Sequence, residues 1–210
     1  MQPDSKAAER FYGPLLGWTF DDPPGAARLD GRRVTGIRPG GPAVWSMHVG
    51  VEDIDPAIER VAAAGGSVVG HTTEDMAVVA DSTGVLFCLS TGRAAEVTGK
   101  PGTWAMASLH TPDLKRVEAF YQLAFGWELE RGDAFGQWWL DGQRVAIVTA
   151  DGNAPPHWAI AFAVTDADAI TEHAQALGGT VLMGPIDTPG FRSAVIADPQ
   201  GAVIAVSAPR

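Results

Sequence analysis

The sequence has a single cysteine, Cys88, among 210 residues. No intramolecular disulfide can form, which points to a reducing, cytoplasmic setting. Basic charge is also scarce. Fifteen Lys and Arg face twenty-five Asp and Glu, a formal net charge of −10. With no basic stripe, nucleic acid and anionic membrane surfaces are not expected as partners. No apolar run reaches the length of a membrane span. The N-terminus, M-Q-P-D-S-K, has no signal-peptide core. There is no P-loop, no dinucleotide glycine fingerprint and no G-x-S-x-G elbow. What remains is 46% hydrophobic and 19% charged, a composition that can bury real cores.

What is present occurs twice. W-S-M-H-V-G-V-E-D from Trp45 is answered by W-A-I-A-F-A-V-T-D from Trp158. Trp45 pairs with Trp158, Asp53 with Asp166, and Gly65-Gly66 with Gly178-Gly179, all at one separation. Constant spacing with matched punctuation marks an internal repeat. It extends outward. F-Y-G-P-L-L-G-W from Phe11 matches F-Y-Q-L-A-F-G-W from Phe120, Leu29-Asp30-Gly31 matches Leu140-Asp141-Gly142, and D-S-T-G from Asp81 matches D-P-Q-G from Asp198. Two units of about a hundred residues are expected: a first domain over 1–92, a linker over 93–101 rich in Gly and polar residues, and a second domain over 102–210.

Local signals predict the elements. Asp4 or Ser5 caps a short helix ending near Tyr12, and Trp45–Val51 reads as a strand. Asp55 is the expected N-cap of the next helix, with Pro56 at its first position. Gly65-Gly66 ends that helix. Trp104–Leu109 is a strand, and Asp113 caps the helix after it. The first copy has no counterpart of Trp104–Leu109. Either that copy lacks its first strand or the natural start lies upstream. An unpaired sheet edge there would favour a homodimer. Each copy reads as two β-α-β-β-β halves, an α+β fold.

The motifs P-D-L-K-R-V-E-A-F-Y-Q-L-A-F-G-W (112–127), L-D-G-Q-R-V-A (140–146), D-A-D-A-I…L-G-G-T-V (166–181) and A-D-P-Q-G-A-V (197–203) resemble the glyoxalase/bleomycin-resistance/extradiol-dioxygenase superfamily, the vicinal oxygen chelate fold. The resemblance covers nearly the whole chain and implies two tandem glyoxalase-like domains. Metal-dependent members hold a divalent cation in a concave cup. The resemblance places the first-strand His, the fifth-strand His and the last-strand Glu at Met106, Ala159 and Ala205 in the second copy. In the first copy the two assignable positions are Ser46 and Cys88. None is His or Glu, and this mix does not make an N/O metal site. No metal and no cofactor are therefore expected.

Residues two apart on a strand share a face. If Met106 faces the cup, so do Trp104, Ser108 and His110. Ala159, Ala161 and Ala205 line the same cup, and one of the adjacent Trp138 and Trp139 should reach it. Alanines leave volume and indoles offer flat surface, a combination suited to a planar, largely apolar ligand. Ser46, His48 and Cys88 line the first copy's cup. His48 and His110 are candidate acid/base groups, expected at separate sites because they lie in different copies. His71, His157 and His173 read as solvated. Two functions follow: metal-independent binding of an antibiotic-like compound, or an enzyme of secondary metabolism or detoxification using a His in the same cup.

Overall fold

A computed structural model of the chain describes all residues except 22–24, 93, 94, 134, 151, 153 and 189, and all other side chains except those of His71 and Thr72. Two residues of the expected linker, and the solvated reading of His71, thus lie outside the described residues. The first copy runs α1 (Ser5–Leu16), β1 (Thr19–Phe20), β2 (Ala26–Leu29), β3 (Arg32–Gly36), β4 (His48–Gly50), α2 (Ile54–Ala63), β5 (Ser67–Thr73), β6 (Met76–Ala80) and β7 (Leu86–Ser90). The second runs β8 (Trp104–Thr111), α3 (Leu114–Phe125), β9 (Glu128–Arg131), β10 (Gly136–Leu140), β11 (Gln143–Ala150), β12 (His157–Ala163), α4 (Ala167–Ala176), β13 (Thr180–Thr188), β14 (Phe191–Ala197) and β15 (Val203–Pro209). The class is α+β, as expected.

Several local readings shift. Asp53, not Asp55, caps α2, because its carboxylate accepts the Asp55 N–H at 3.2 Å. Pro56 still falls in the first turn, where its missing N–H leaves no bond unmade. Helix α1 runs on past Tyr12 to Leu16 and stops at Gly17, whose φ of 75° is left-handed. Strand β4 covers only part of Trp45–Val51, so Trp45 and Ser46 precede it. Asp4 and Asp113 cap α1 and α3 as read.

The chain closes into two compact units, each drawn from both copies. One unit is Met1–Trp45, Ala94–Ala105 and Ile160–Arg210; the other is Ser46–Arg93 and Met106–Ala159. Each joins one half of the first copy to one half of the second. In the first unit, β1, β2 and β3 form an antiparallel sheet. Strands β13, β14 and β15 are antiparallel, and Ala161–Ala163 of β12 lie parallel to β15. In the second unit, β4 lies parallel to β7, followed antiparallel by β6 and β5. Strand β8 likewise lies parallel to β11, followed antiparallel by β10 and β9.

The reason for this partition is built into the repeated motifs. In the first unit the Tyr12 hydroxyl donates to Asp198 Oδ2 at 2.9 Å and accepts from Trp45 Nε1 at 2.8 Å. In the second, Tyr121 donates to Asp81 Oδ2 at 3.3 Å and accepts from Trp158 Nε1 at 3.0 Å. Each Asp turns its other oxygen to its own D-x-x-G turn: Asp198 Oδ1 accepts from Gln200 N and Ala202 N, and Asp81 Oδ1 from Thr83 N and Val85 N. A buried carboxylate needs such partners, since an unpaired one would be strongly destabilising. The Phe before each Tyr seats on the other copy's double glycine. A Cβ on Gly66 would come within 2.8 Å of Phe120 Cε2, and one on Gly179 within 2.9 Å of Phe11 Cε2. The first glycine of each pair, Gly65 or Gly178, takes the left-handed turn, with φ of 86° or 87°. The second makes room.

Where the first copy has no leading strand, β3 ends its sheet. Glu96 sits on that edge: its N–H donates to Arg33 O and its carboxylate accepts Arg33 N–H, both at 2.8 Å. One residue of the connecting segment thereby satisfies backbone groups a neighbouring strand would otherwise meet.

Candidate functional site

In the second unit, strand β8 alternates cleanly. Ala107, Leu109 and Thr111 are fully buried, while Met106, Ser108 and His110 are half-buried on the opposite face. Ser108 lies beside Ile147 of β11, and His110 beside Thr149. Ser108 Oγ and His110 Nε2 are 3.1 Å apart. On β12, Trp158 turns inward to Tyr121, and the alternation sends its neighbour His157 the other way. The His157 ring stacks on His110 at 4.9 Å between centroids and 6° between planes. His157 Nδ1 donates to Pro155 O at 2.9 Å, which fixes the ring. The expectation of a solvated His157 holds in that it is exposed, but it missed the partner. That partner is invisible in sequence because the two histidines meet across elements 47 residues apart.

His48 is exposed on β4 and in register with buried Cys88 of β7. Ser46 stands just ahead of β4. His48 and His110, expected at separate sites, belong to one compact unit. Trp138, called as a ligand contact, is fully buried instead. It packs on Tyr121 at 5.6 Å and Trp127 at 6.1 Å, on the helix side of the sheet. Its indole N–H has no hydrogen-bond partner among the described residues. Trp139, after a register shift in β10, lies on the other face and donates to Glu130 Oε2 at 2.9 Å. It lines a groove of about 510 Å³ with Glu128, Glu130 and Asp141. A more apolar cavity of about 560 Å³ lies between Val49–Asp53 and the end of α3, walled by Leu123, Phe125 and Trp127.

The alanine wall belongs to the first unit. Ala161 is in register with Ala205, Ala205 with Val195, and Val195 with Met183. Beside that row, Ser193 Oγ and Ser207 Oγ meet at 2.6 Å. Ala194, Ile196, Ile204 and Val206 are buried on the reverse face. Trp104 is half-buried in the same unit, and Ala159 falls at the end of the other.

Two buried tyrosines have strongly perturbed titrations. Burial pushes both phenols well above their ordinary value, and the carboxylates of Asp198 and Asp81 add to the rise. These groups lock the fold; they are not poised for acid/base work.

Four α-β-β-β runs, three of them preceded by a strand, match the vicinal oxygen chelate fold. A sequence model of the family described as a glyoxalase-like domain matches residues 2–90 and again 106–207, so the chain belongs to the glyoxalase-like domain family. It is 33% identical to the anthracycline biosynthesis protein DauV of Streptomyces sp. (strain C5), over 97% of this chain and 89% of that protein. It is 31% identical to CFP32 of Mycobacterium tuberculosis, over 98% and 91%. Among solved structures it resembles the Mn(II)-bound glyoxalase from Novosphingobium aromaticivorans, with TM-score 0.64 and 18% identity, over 99% of this chain and 79% of that one. It also resembles the 2,3-dioxygenase LapB from Pseudomonas sp. KL28, with TM-score 0.63 and 15% identity, over 99% and 88%. At such identities the structural likeness shows the fold alone.

Does the family's metal fit here? The donors offered at the expected positions are a thioether, a thiol, a hydroxyl and two methyl groups, from Met106, Cys88, Ser46, Ala159 and Ala205. Among the described residues, no three His, Cys, Asp or Glu side chains gather where they could hold a metal ion. This set does not suit the hard or borderline cations that N/O sites hold, so no step is derived through a metal.

Proposed function

We propose that this protein binds a planar, largely apolar, antibiotic-like small molecule without using the family's metal, sequestering or carrying it. The observation that carries the reading is the donor-poor set Ser46, Cys88, Met106, Ala159 and Ala205 at the family's ligand positions. Half-buried Ala161, Ala205 and Val195, in a row with exposed Met183, supply apolar surface for such a molecule. The similarity to a protein named for anthracycline biosynthesis is consistent with a ligand of that shape. Native mass spectrometry of the protein purified from cell extract tests this. An organic adduct without metal supports the reading, and a stoichiometric divalent ion overturns it.

A second reading, an enzyme of secondary metabolism or detoxification, is favoured by one observation: the 3.1 Å approach of Ser108 Oγ to His110 Nε2, which suits proton transfer. His48 is the other candidate base. Replacement of either by Ala would abolish turnover of a bound compound under this reading, and would only weaken binding under the first.

A further inference from the structure

We infer that the His110–His157 stack is the aromatic seat of the ligand, with His157 as the contact residue. This rests on the binding reading above and assigns it a place, in the second unit.

The geometry chooses between the two uses of a histidine pair. Imidazole lone pairs lie in the ring plane. Two rings with 6° between their planes and centroids 4.9 Å apart direct their lone pairs along parallel planes that do not converge. Such a pair cannot chelate one ion without turning a ring. His157 is held against turning by its Nδ1–H bond to Pro155 O at 2.9 Å. On its core side, β12 is anchored next door by Trp158, whose indole N–H donates to Tyr121. His110 is held by Ser108 at 3.1 Å. What the pair does offer is a flat, fixed, exposed ring already in an offset stack. A third planar ring laid on His157 continues that stack at the separation aromatic pairs prefer. Because the ring is fixed beforehand, binding pays little ordering entropy. Half-buried Met106 and Ala159 stand on the same two strands and supply apolar edge. The bond to Pro155 O places a proton on Nδ1, so in the neutral ring Nε2 is the acceptor at the ring edge. The ligand class is therefore a planar aromatic molecule, and one with a hydroxyl in its plane can also meet an acceptor nearby.

The test uses alizarin, a dihydroxyanthraquinone, titrated by calorimetry into the full chain and two variants. His157→Ala should weaken binding roughly three- to tenfold, the worth of one stacked pair. His157→Phe keeps the flat ring and should restore affinity to near the parent value. Because His157 is exposed, both variants should melt with the parent chain. Equal affinity of the parent and His157→Ala overturns the stacked seat and leaves the binding reading standing. Loss with both Ala and Phe overturns stacking in favour of the imidazole's polar edge. No binding by the parent chain overturns both.

Discussion

The two compact units share one locking scheme and differ in what they present. Both are closed by a Trp–Tyr–Asp chain and by a Phe seated on a double glycine. The exposed sheet face of the first unit is alanine, valine and methionine around a pair of serine hydroxyls. That of the second carries two stacked histidines, Ser108, and the Trp139–Glu130 pair. The cores differ in a compensating way. At matched repeat positions the first unit has Ala27 and Phe162, and the second has Trp138 and Val49, all buried. Phe162 packs on Trp18 at 5.3 Å, and Trp138 on the equivalent Trp127 at 6.1 Å. One large ring fills each core, from a different strand in each, as close packing demands. Closure is thus fixed by a few buried polar and glycine positions, while the faces are free to carry different chemistry.

The comparison breaks most visibly if the copies are cut apart. Neither 1–92 nor 102–210 alone should fold, because each compact unit needs half of the other copy. Mixed together, they should regain a cooperative melt by circular dichroism. A cooperative melt from 102–210 alone would show that the copies can close by themselves. Next in size are the double glycines. Gly66→Ala puts a Cβ 2.5 Å from Ala80 O, whereas Gly179→Ala meets its nearest atoms at 2.9 Å. Both should destabilise by about 2–3 kcal/mol, Gly66→Ala the more, as read from urea midpoints. An equal or negligible loss would mean the seats of Phe120 and Phe11 yield.

The smallest effect concerns the tyrosines, which are the only two in the chain. Their folded pKa values are raised, first by burial and then by Asp198 or Asp81. The unfolded chain therefore loses these protons first as pH rises. The stabilisation is fully present below about pH 10, the value of a free phenol, and is lost above it. Tyrosinate absorbance should appear only together with unfolding; a free titration near pH 10 in the folded protein would show an open lock. Tyr12→Phe and Tyr121→Phe should each cost about 1–3 kcal/mol by leaving buried partners unmet. Tyr121 should be the costlier, because Asp198 Oδ2 keeps a bond from Gln2 Nε2 at 2.8 Å when the Tyr12 hydroxyl is lost, while Asp81 Oδ2 loses the bond from Tyr121.

The amino-acid sequence by itself determined the repeat, the α+β class, the family and the cap at Asp113, and it narrowed the first helix's cap to Asp4 or Ser5. It also determined that Trp138 and Trp139 face opposite ways. These follow from interactions within a few residues: a carboxylate reaching an N–H two or three positions on, a glycine entering the left-handed region, the two-residue period of a strand. Tertiary structure alone decided which half closes on which, since the deciding bond joins Tyr12 to Asp198, 186 residues away. It also decided that Trp138 is the inward indole, that His48 and His110 share a unit, and that His157 stacks on His110. Sequence periodicity fixes that a side chain alternates. Which face becomes the core depends on what the rest of the chain brings to cover it, and that is settled only when distant segments pack.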